Sequence, residues 1–539
     1  MATGTEGDDN LSNNLASYND TIDALGGNDT ITVTARSDGA YIVVNGGSGI
    51  DTLVLSQDSI LQNADGVGTA GRIYLRKSGA SNVIDYTSIE RIEFFGAIRS
   101  VSGPFDFGEA TVALRLNPTS SATVAITTGG GNDDIYFSDI GWGAALQVVA
   151  GGGNDKIVSA GFAADRLEGG AGDDYLDGGS GNDTLIGGTG NDVYVASSPQ
   201  DIITELAGEG IDEVRTDYGS QFGYNYNDLY TLAANVENLT GTSTYGQGVR
   251  ANSMDNVVAM GVGADLVVLD DGGNDTVGGG AGDDFLYYGA ALTNGDSNNG
   301  GDGYDTVGLV GNYSLVLDAN DLVSIEKLAV YSSGNGAAPA SYALTTKDAN
   351  VAAGQQLFVV GQSLTAAESL VFDGSAELDG SFKISSGAGA DSLTGGAKRD
   401  TIMGGAGNDM IQGKGGADSI TGGAGSDGLF GGAGADRFVY TAVSDSTPTA
   451  RDSILDFEVG VDKIYLRGMD SNNNAGDGTT PFAFIGSSAF TQHAGELRVQ
   501  ASGGSTFVEA DTNGDGLADF SIRVATSSGM MLTRSDFEI

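Results

Sequence analysis

Aspartates spaced nine residues apart are the groups in this chain best placed to do chemistry. Between Ser386 and Val439 they stand at Asp391, Asp400, Asp409, Asp418, Asp427 and Asp436, and a shorter run carries Asp174, Asp183 and Asp192. Each is sixth in a unit of the form G-G-x-G-x-D-x-U-x, where U is a large apolar residue. The short run reads GGAGDDYLD, GGSGNDTLI, GGTGNDVYV; the long one reads SGAGADSLT, GGAKRDTIM, GGAGNDMIQ, GKGGADSIT, GGAGSDGLF, GGAGADRFV. Isolated units from Gly46, Gly279 and Gly300 place Asp51, Asp284 and Asp305 in the same slot, and weaker matches start at Gly129, Gly151 and Asp271.

Glycine allows the positive φ and close backbone approach that a tight turn requires. The x-U-x residues form a short strand with one side chain pointing inward, so two units complete a coil with a turn and a strand on each side. Coils stack about 4.8 Å apart. The aspartates then form columns in which neighbouring carboxylates repel by roughly 3 kcal/mol at an effective dielectric of about 20. Such a column needs cations between its turns. Carboxylate and carbonyl oxygens are hard ligands that suit Ca²⁺ over zinc or copper. Multiple calcium ions are expected, each between turns n and n+2 of one column. Lys398 and Arg399 break the pattern in the second unit of the long run and weaken that turn's share.

These registered units resemble the RTX family, whose repeats build a parallel β-roll. After Val439 the register stops. The segments Phe438 to Leu466 and Phe507 to Val524 resemble the region that follows the repeats in serralysin-type secreted proteases. That resemblance implies a cap on the roll and an uncleaved C-terminal signal for type I secretion, with Asp536, Phe537, Glu538 and Ile539 as its acidic and apolar ending. Within this region Asp511, Asn513, Asp515 and Asp519 have calcium-loop spacing, with Gly516 at the sharp turn. The twelfth position is Ile522 rather than glutamate, which leaves a plain β-turn as the alternative.

Composition agrees with a calcium-filled rod. The chain has 539 residues, 89 of them glycine and only 6 proline, and its formal charge is -48. Such a surface repels nucleic acid and anionic lipid. There is no cysteine, so neither disulfides nor thiolate metal sites hold it together. No apolar run reaches the roughly 18 residues of a membrane span, and the opening MATGTEGDDNLSNN is not a secretory signal peptide, so export is expected to read another part of the chain. The single histidine, His493, excludes the H-E-x-x-H zinc helix that serralysin-type proteases carry, and no G-x-S-x-G elbow is present. His493 is expected at the surface and Trp142 in packing. No catalytic machinery is expected.

The expected fold is all-β: elongated parallel β-roll or β-solenoid blocks with irregular β insertions and a C-terminal β cap. It divides into an N-terminal β region with sparse repeats (1–128), repeat blocks at 129–195, 261–310 and 386–439, β insertions at 196–260 and 311–385, and the cap with its secretion signal (440–539). The insertions read either as irregular coils of the same solenoid or as sandwich-like additions. Three segments echo one another: SIERIEFFG from Ser88, NVENLTGT from Asn235 and SIEKLAVYS from Ser324. The expected function is a secreted calcium-binding structural protein that folds on calcium and assembles into sheets or filaments at the surface of a Gram-negative bacterium, as a surface-layer or matrix component. Its expected partners are the type I secretion apparatus and a cell-surface polysaccharide or lipopolysaccharide. The competing reading makes the repeats a carriage for an unrecognised enzyme or adhesin.

Overall fold

The computed structural model describes residues 2–12, 19–34, 40–56, 60–67, 70–77, 80–87, 91–95, 100–101, 111–116, 123–137, 143–218, 229–334, 337–472, 480–502, 505–526 and 530–539. Among them there are β-strands and three-residue 3₁₀ turns, and no α-helix. The chain divides into two compact units, Met1–Gly261 and Val262–Ile539. Each is built of parallel coils.

The repeat shows why. In the unit from Gly404, strand Met410–Gln412 buries only its middle residue, Ile411. Strand Ser392–Thr394 does the same with Leu393, and Gly428–Phe430 with Leu429. These three stack in register, Leu393 on Ile411 on Leu429, and on the opposite side Ile384, Ile402, Ile420 and Phe438 form a second stack. Each side chain is fully buried, which contributes about 1.5–3 kcal/mol apiece. The turns need glycine at particular places. Gly407 has φ of +131°, and a Cβ there would fall 2.1 Å from the carbonyl oxygen of Gly389 one coil below.

The first unit repeats this plan around Leu167, Leu176, Leu185 and Tyr194, all fully buried. Its parallel pairing runs on through strands Glu213–Thr216, Asn238–Gly241 and Val257–Ala259, beyond the last nonapeptide. Near its N-terminus an antiparallel meander, Ile60–Val67, Ala70–Lys77 and Ala80–Thr87, is attached to the parallel strand Ala40–Asn45.

In the second unit parallel coils likewise continue through Lys327–Tyr331, Ser341–Thr345, Gln356–Val360 and Ser369–Asp373. After the long run the pattern changes. Strand Ser453–Phe457 pairs with Phe520–Thr526, which continues as an antiparallel meander through Ser505–Asp511 and Glu496–Ser502. The final strand, Phe537–Glu538, lies parallel to Lys463–Tyr465, with Phe537 buried. An open stack of parallel strands leaves unpaired edge groups, and this meander covers them.

Candidate metal sites along two carboxylate ladders

Each repeat aspartate is buried where its turn meets the strand, and its two oxygens do different things. Oδ1 accepts the backbone N–H of the aspartate one coil earlier: Asp391 donates to Asp409, Asp400 to Asp418, Asp409 to Asp427 and Asp418 to Asp436, at 2.8–2.9 Å. Oδ2 of Asp409, Asp418, Asp427 and Asp436 is buried with no hydrogen-bond partner. Asp174, Asp183, Asp192, Asp284 and Asp305 share this state.

The unpartnered oxygen faces a space only glycine leaves open. A Cβ on Gly404 would lie 2.3 Å from Asp409 Oδ2 and 2.7 Å from the carbonyl oxygen of Gly422, and one on Gly413 would lie 2.3 Å from Asp418 Oδ2 and 2.6 Å from Gly431 O. A carboxylate oxygen and a carbonyl oxygen from the next coil therefore converge in front of Gly404 and of Gly413. Hard oxygen donors, one of them an orphaned buried anion, fit a calcium ion.

In the metal-free chain burial pushes these carboxyls up, and their column neighbours push further. Asp409 rises to about 7, from burial first and then from Asp427 and Asp391. Asp418 rises to about 8, from burial and then Asp400 and Asp436. In the first unit Asp174 and Asp183 rise to about 7, in each case chiefly through burial. At neutral pH each therefore stands near the balance between holding a proton and holding a cation.

The ladders extend well past the nonapeptides. In the first unit Asp9, Asp29 and Asp51 follow one another, Asp29 donating to Asp51 Oδ1 at 2.9 Å. Further on, Asp133, Asp155, Asp174, Asp192 and Asp212 form one continuous series, with Asp165, Asp183 and Asp201 on the opposite side. In the second unit Asp265, Asp284 and Asp305 form a series, and the long run ends on Asp452 and Asp462. Two of the echoed segments supply glutamates in the aspartate's role: Glu237 accepts from Asp212, and Glu326 from Asp305. Ser88 and its echo's Glu90 lie outside the described residues, as does Trp142.

Five predicted positions behave differently. Asp391 Oδ2 accepts the Ser386 hydroxyl, and Asp400 Oδ2 accepts the Gly396 N–H at 2.7 Å. The second case lies in the unit that carries Lys398 and Arg399, where the turn closes on its own aspartate. Asp511 is also fully used, accepting the N–H of Gly514 and Gly516 at 2.7 and 2.8 Å, while Asp519 caps Thr512 and Asn513. Asn513 Oδ1 and Asp515 Oδ1 accept backbone N–H groups of the same turn. The side-chain oxygens of this segment are thus engaged by backbone N–H groups of their own turn. His493 is exposed, its Nδ1 beside the Thr491 hydroxyl.

Sequence reasoning missed Glu205. It is buried near Asp192 and Asp212, accepts the Tyr194 hydroxyl, and has its other oxygen unpartnered. Burial first, then Asp212 and Asp192, raise its carboxyl to about 8.

Residues 16–34, 159–194 and 267–290 match the RTX calcium-binding nonapeptide repeat. Residues 371–539 match the serralysin C-terminal region of the M10 peptidases. The chain carries RTX nonapeptide repeats and a serralysin-type C-terminal region. These repeats bind multiple calcium ions, and the two features together mark a secreted, extracellular protein. Two curated relatives share short stretches with this chain. Serralysin A of Dickeya chrysanthemi is 62% identical over 37 residues, 7% of this chain and 8% of the relative. Metallopeptidase AprA of Pseudomonas marginalis is 41% identical over 85 residues, 15% and 16% respectively. The chain thus spans less than a fifth of either relative. A solved structure, the AlgE6R3 subunit from the Azotobacter vinelandii mannuronan C5-epimerase, matches at 25% identity over 28% of this chain and 80% of that one, with a TM-score of 0.21.

Proposed function

We propose that this RTX protein is a structural component that folds on calcium after export and assembles at the surface of a Gram-negative cell, as a surface-layer or matrix protein without catalysis of its own. The observation that carries the reading is the row of buried, unpartnered Oδ2 atoms at Asp409, Asp418, Asp427 and Asp436. Calcium supplies the positive charge that lets these carboxylates stand ionised inside the fold. The ligands we assign are Asp51, Asp174, Asp183, Asp192, Asp284, Asp305, Asp409, Asp418, Asp427 and Asp436, with Asp391 and Asp400 as weaker members.

In a calcium-poor cytosol the columns repel and the chain stays open, a state that a type I exporter can thread. At the roughly millimolar calcium outside, binding to the folded state alone adds stability by mass action, site by site. A structural role is supported by ladders in both units and by 72 acidic against 24 basic residues, a surface that divalent ions or a polysaccharide could bridge.

Electron microscopy of the purified chain in millimolar calcium and in chelator tests the assembly. Ordered sheets or filaments that need calcium are the expected result. Monomers dispersed in both conditions would instead favour the repeats as carriage for an enzyme or adhesin.

A further inference from the structure

Outside every nonapeptide, three carboxylates from two successive coils of the second unit meet. Asp348 opens the 3₁₀ turn Asp348–Asn350, and Glu377 and Asp379 lie in the turn between strands Ser369–Asp373 and Ser381–Ser385. One oxygen from each stands within 4.8 Å of the other two. The coils are clasped there by backbone: Leu378 N–H donates to Asp348 Oδ1 at 2.8 Å, and Gly354 N–H to the Asp379 carbonyl at 3.0 Å.

Glu377 distinguishes this cluster from an ordinary acidic surface. Its side chain is completely buried. Oε1 accepts the N–H groups of Asp379 and Gly380 at 3.0 and 2.7 Å, whereas Oε2 has no partner. None of the ion pairs among the described residues involves the three acids, and Lys347, beside Asp348, is held by Asp318. A buried anion with an unmatched oxygen, flanked by two exposed carboxylates, is a site open to solvent on one side and anchored on the other.

We propose that Asp348, Glu377 and Asp379 form a separate site for a hard divalent cation, calcium being the probe. The Glu377 carbonyl also accepts the Ala397 N–H at 2.9 Å, so an ion here would tie the non-repeat coils to the turn of the second unit of the six-unit run. That turn is the one whose Asp400 is satisfied by its own backbone.

The test uses the full calcium-loaded chain and counts bound ions after desalting. The double variant Asp348→Asn/Asp379→Asn alters only exposed side chains and should lose one ion, with amide exchange at residues 378–380 at least tenfold faster and the 386–439 run still protected. Glu377→Gln, which keeps the side chain's shape, should lose the same ion. An unchanged count in these variants, while Asp409→Asn/Asp427→Asn loses ions, overturns the inference and leaves the ladder sites standing. The converse pattern overturns the ladder sites and leaves this one standing. A chain that retains no calcium overturns both.

Discussion

Lys414 occupies a slot that glycine holds in its neighbours. It is second in the unit GKGGADSIT and has φ of +73°, where Gly405, Gly423 and Gly432 have +109°, +102° and +92°. A side chain in that region is strained, so Lys414→Gly should stabilise the calcium-loaded fold by about 1 kcal/mol, read as a higher melting temperature. An unchanged or lower one contradicts the strain. The column aspartates give a second expectation, in pH. Asp409 and Asp418 have folded, metal-free values raised to about 7 and about 8 from 3.8. A raised carboxyl favours the folded state fully below the unfolded value and loses that contribution as pH climbs through the folded value. In chelator, therefore, β-structure followed by circular dichroism should grow as pH falls from 8 to 4. With calcium present the half-saturating concentration should rise over the same descent, because protons and calcium compete for one oxygen. A signal flat with pH in chelator would contradict the burial of these groups.

At the scale of the element, the coil keeps an 18-residue period along the long run, as between Asp409 and Asp427. Elsewhere the step between ladder carboxylates is 22 residues from Asp133 to Asp155, 21 from Asp284 to Asp305 and 26 from Asp436 to Asp462. A coil can lengthen at its turns without disturbing strand register, and this is why a nine-residue template saw the long run but not Asp212 or Asp462. Glu237 and Glu326 were visible as echoed segments, yet their role was not, because the longer side chain reaches the same N–H from a turn of different length. Ser386 satisfies Asp391 within a single unit, marked only by serine in the place of the first glycine, and Glu205 joining Asp192 leaves no local mark. The carboxylates of the perfect units, the inward strand residues and the change of structure after Val439 were all legible, since each is fixed by period or composition. The coil as unit also yields an expectation. Deleting residues 404–421 removes one full coil and should give a folded protein with fewer bound ions. Deleting 404–412 removes half a coil, puts every later strand on the wrong side and separates the capping meander from its edge. The shorter deletion should be the more damaging in calcium-dependent circular dichroism; equal tolerance of both would argue against the coil as the repeating unit.

Across the molecule, the tail lies inside the structure it terminates. Asp536 is fully buried, with Oδ1 accepting the Gly460 N–H at 2.9 Å, and Phe537 packs against Phe484 with ring centroids 5.4 Å apart. Carboxypeptidase should trim these residues in chelator and leave them intact in excess calcium; trimming at equal rates would show that the tail is not held. If the exporter reads this ending, as its resemblance to serralysin-type signals implies, the address is legible only on an open chain. Calcium that arrives too early would then do more than stiffen the cargo. It would fold the label inward and strand the molecule on the wrong side of the envelope, so the same ion that completes the protein outside acts inside as a veto on its departure.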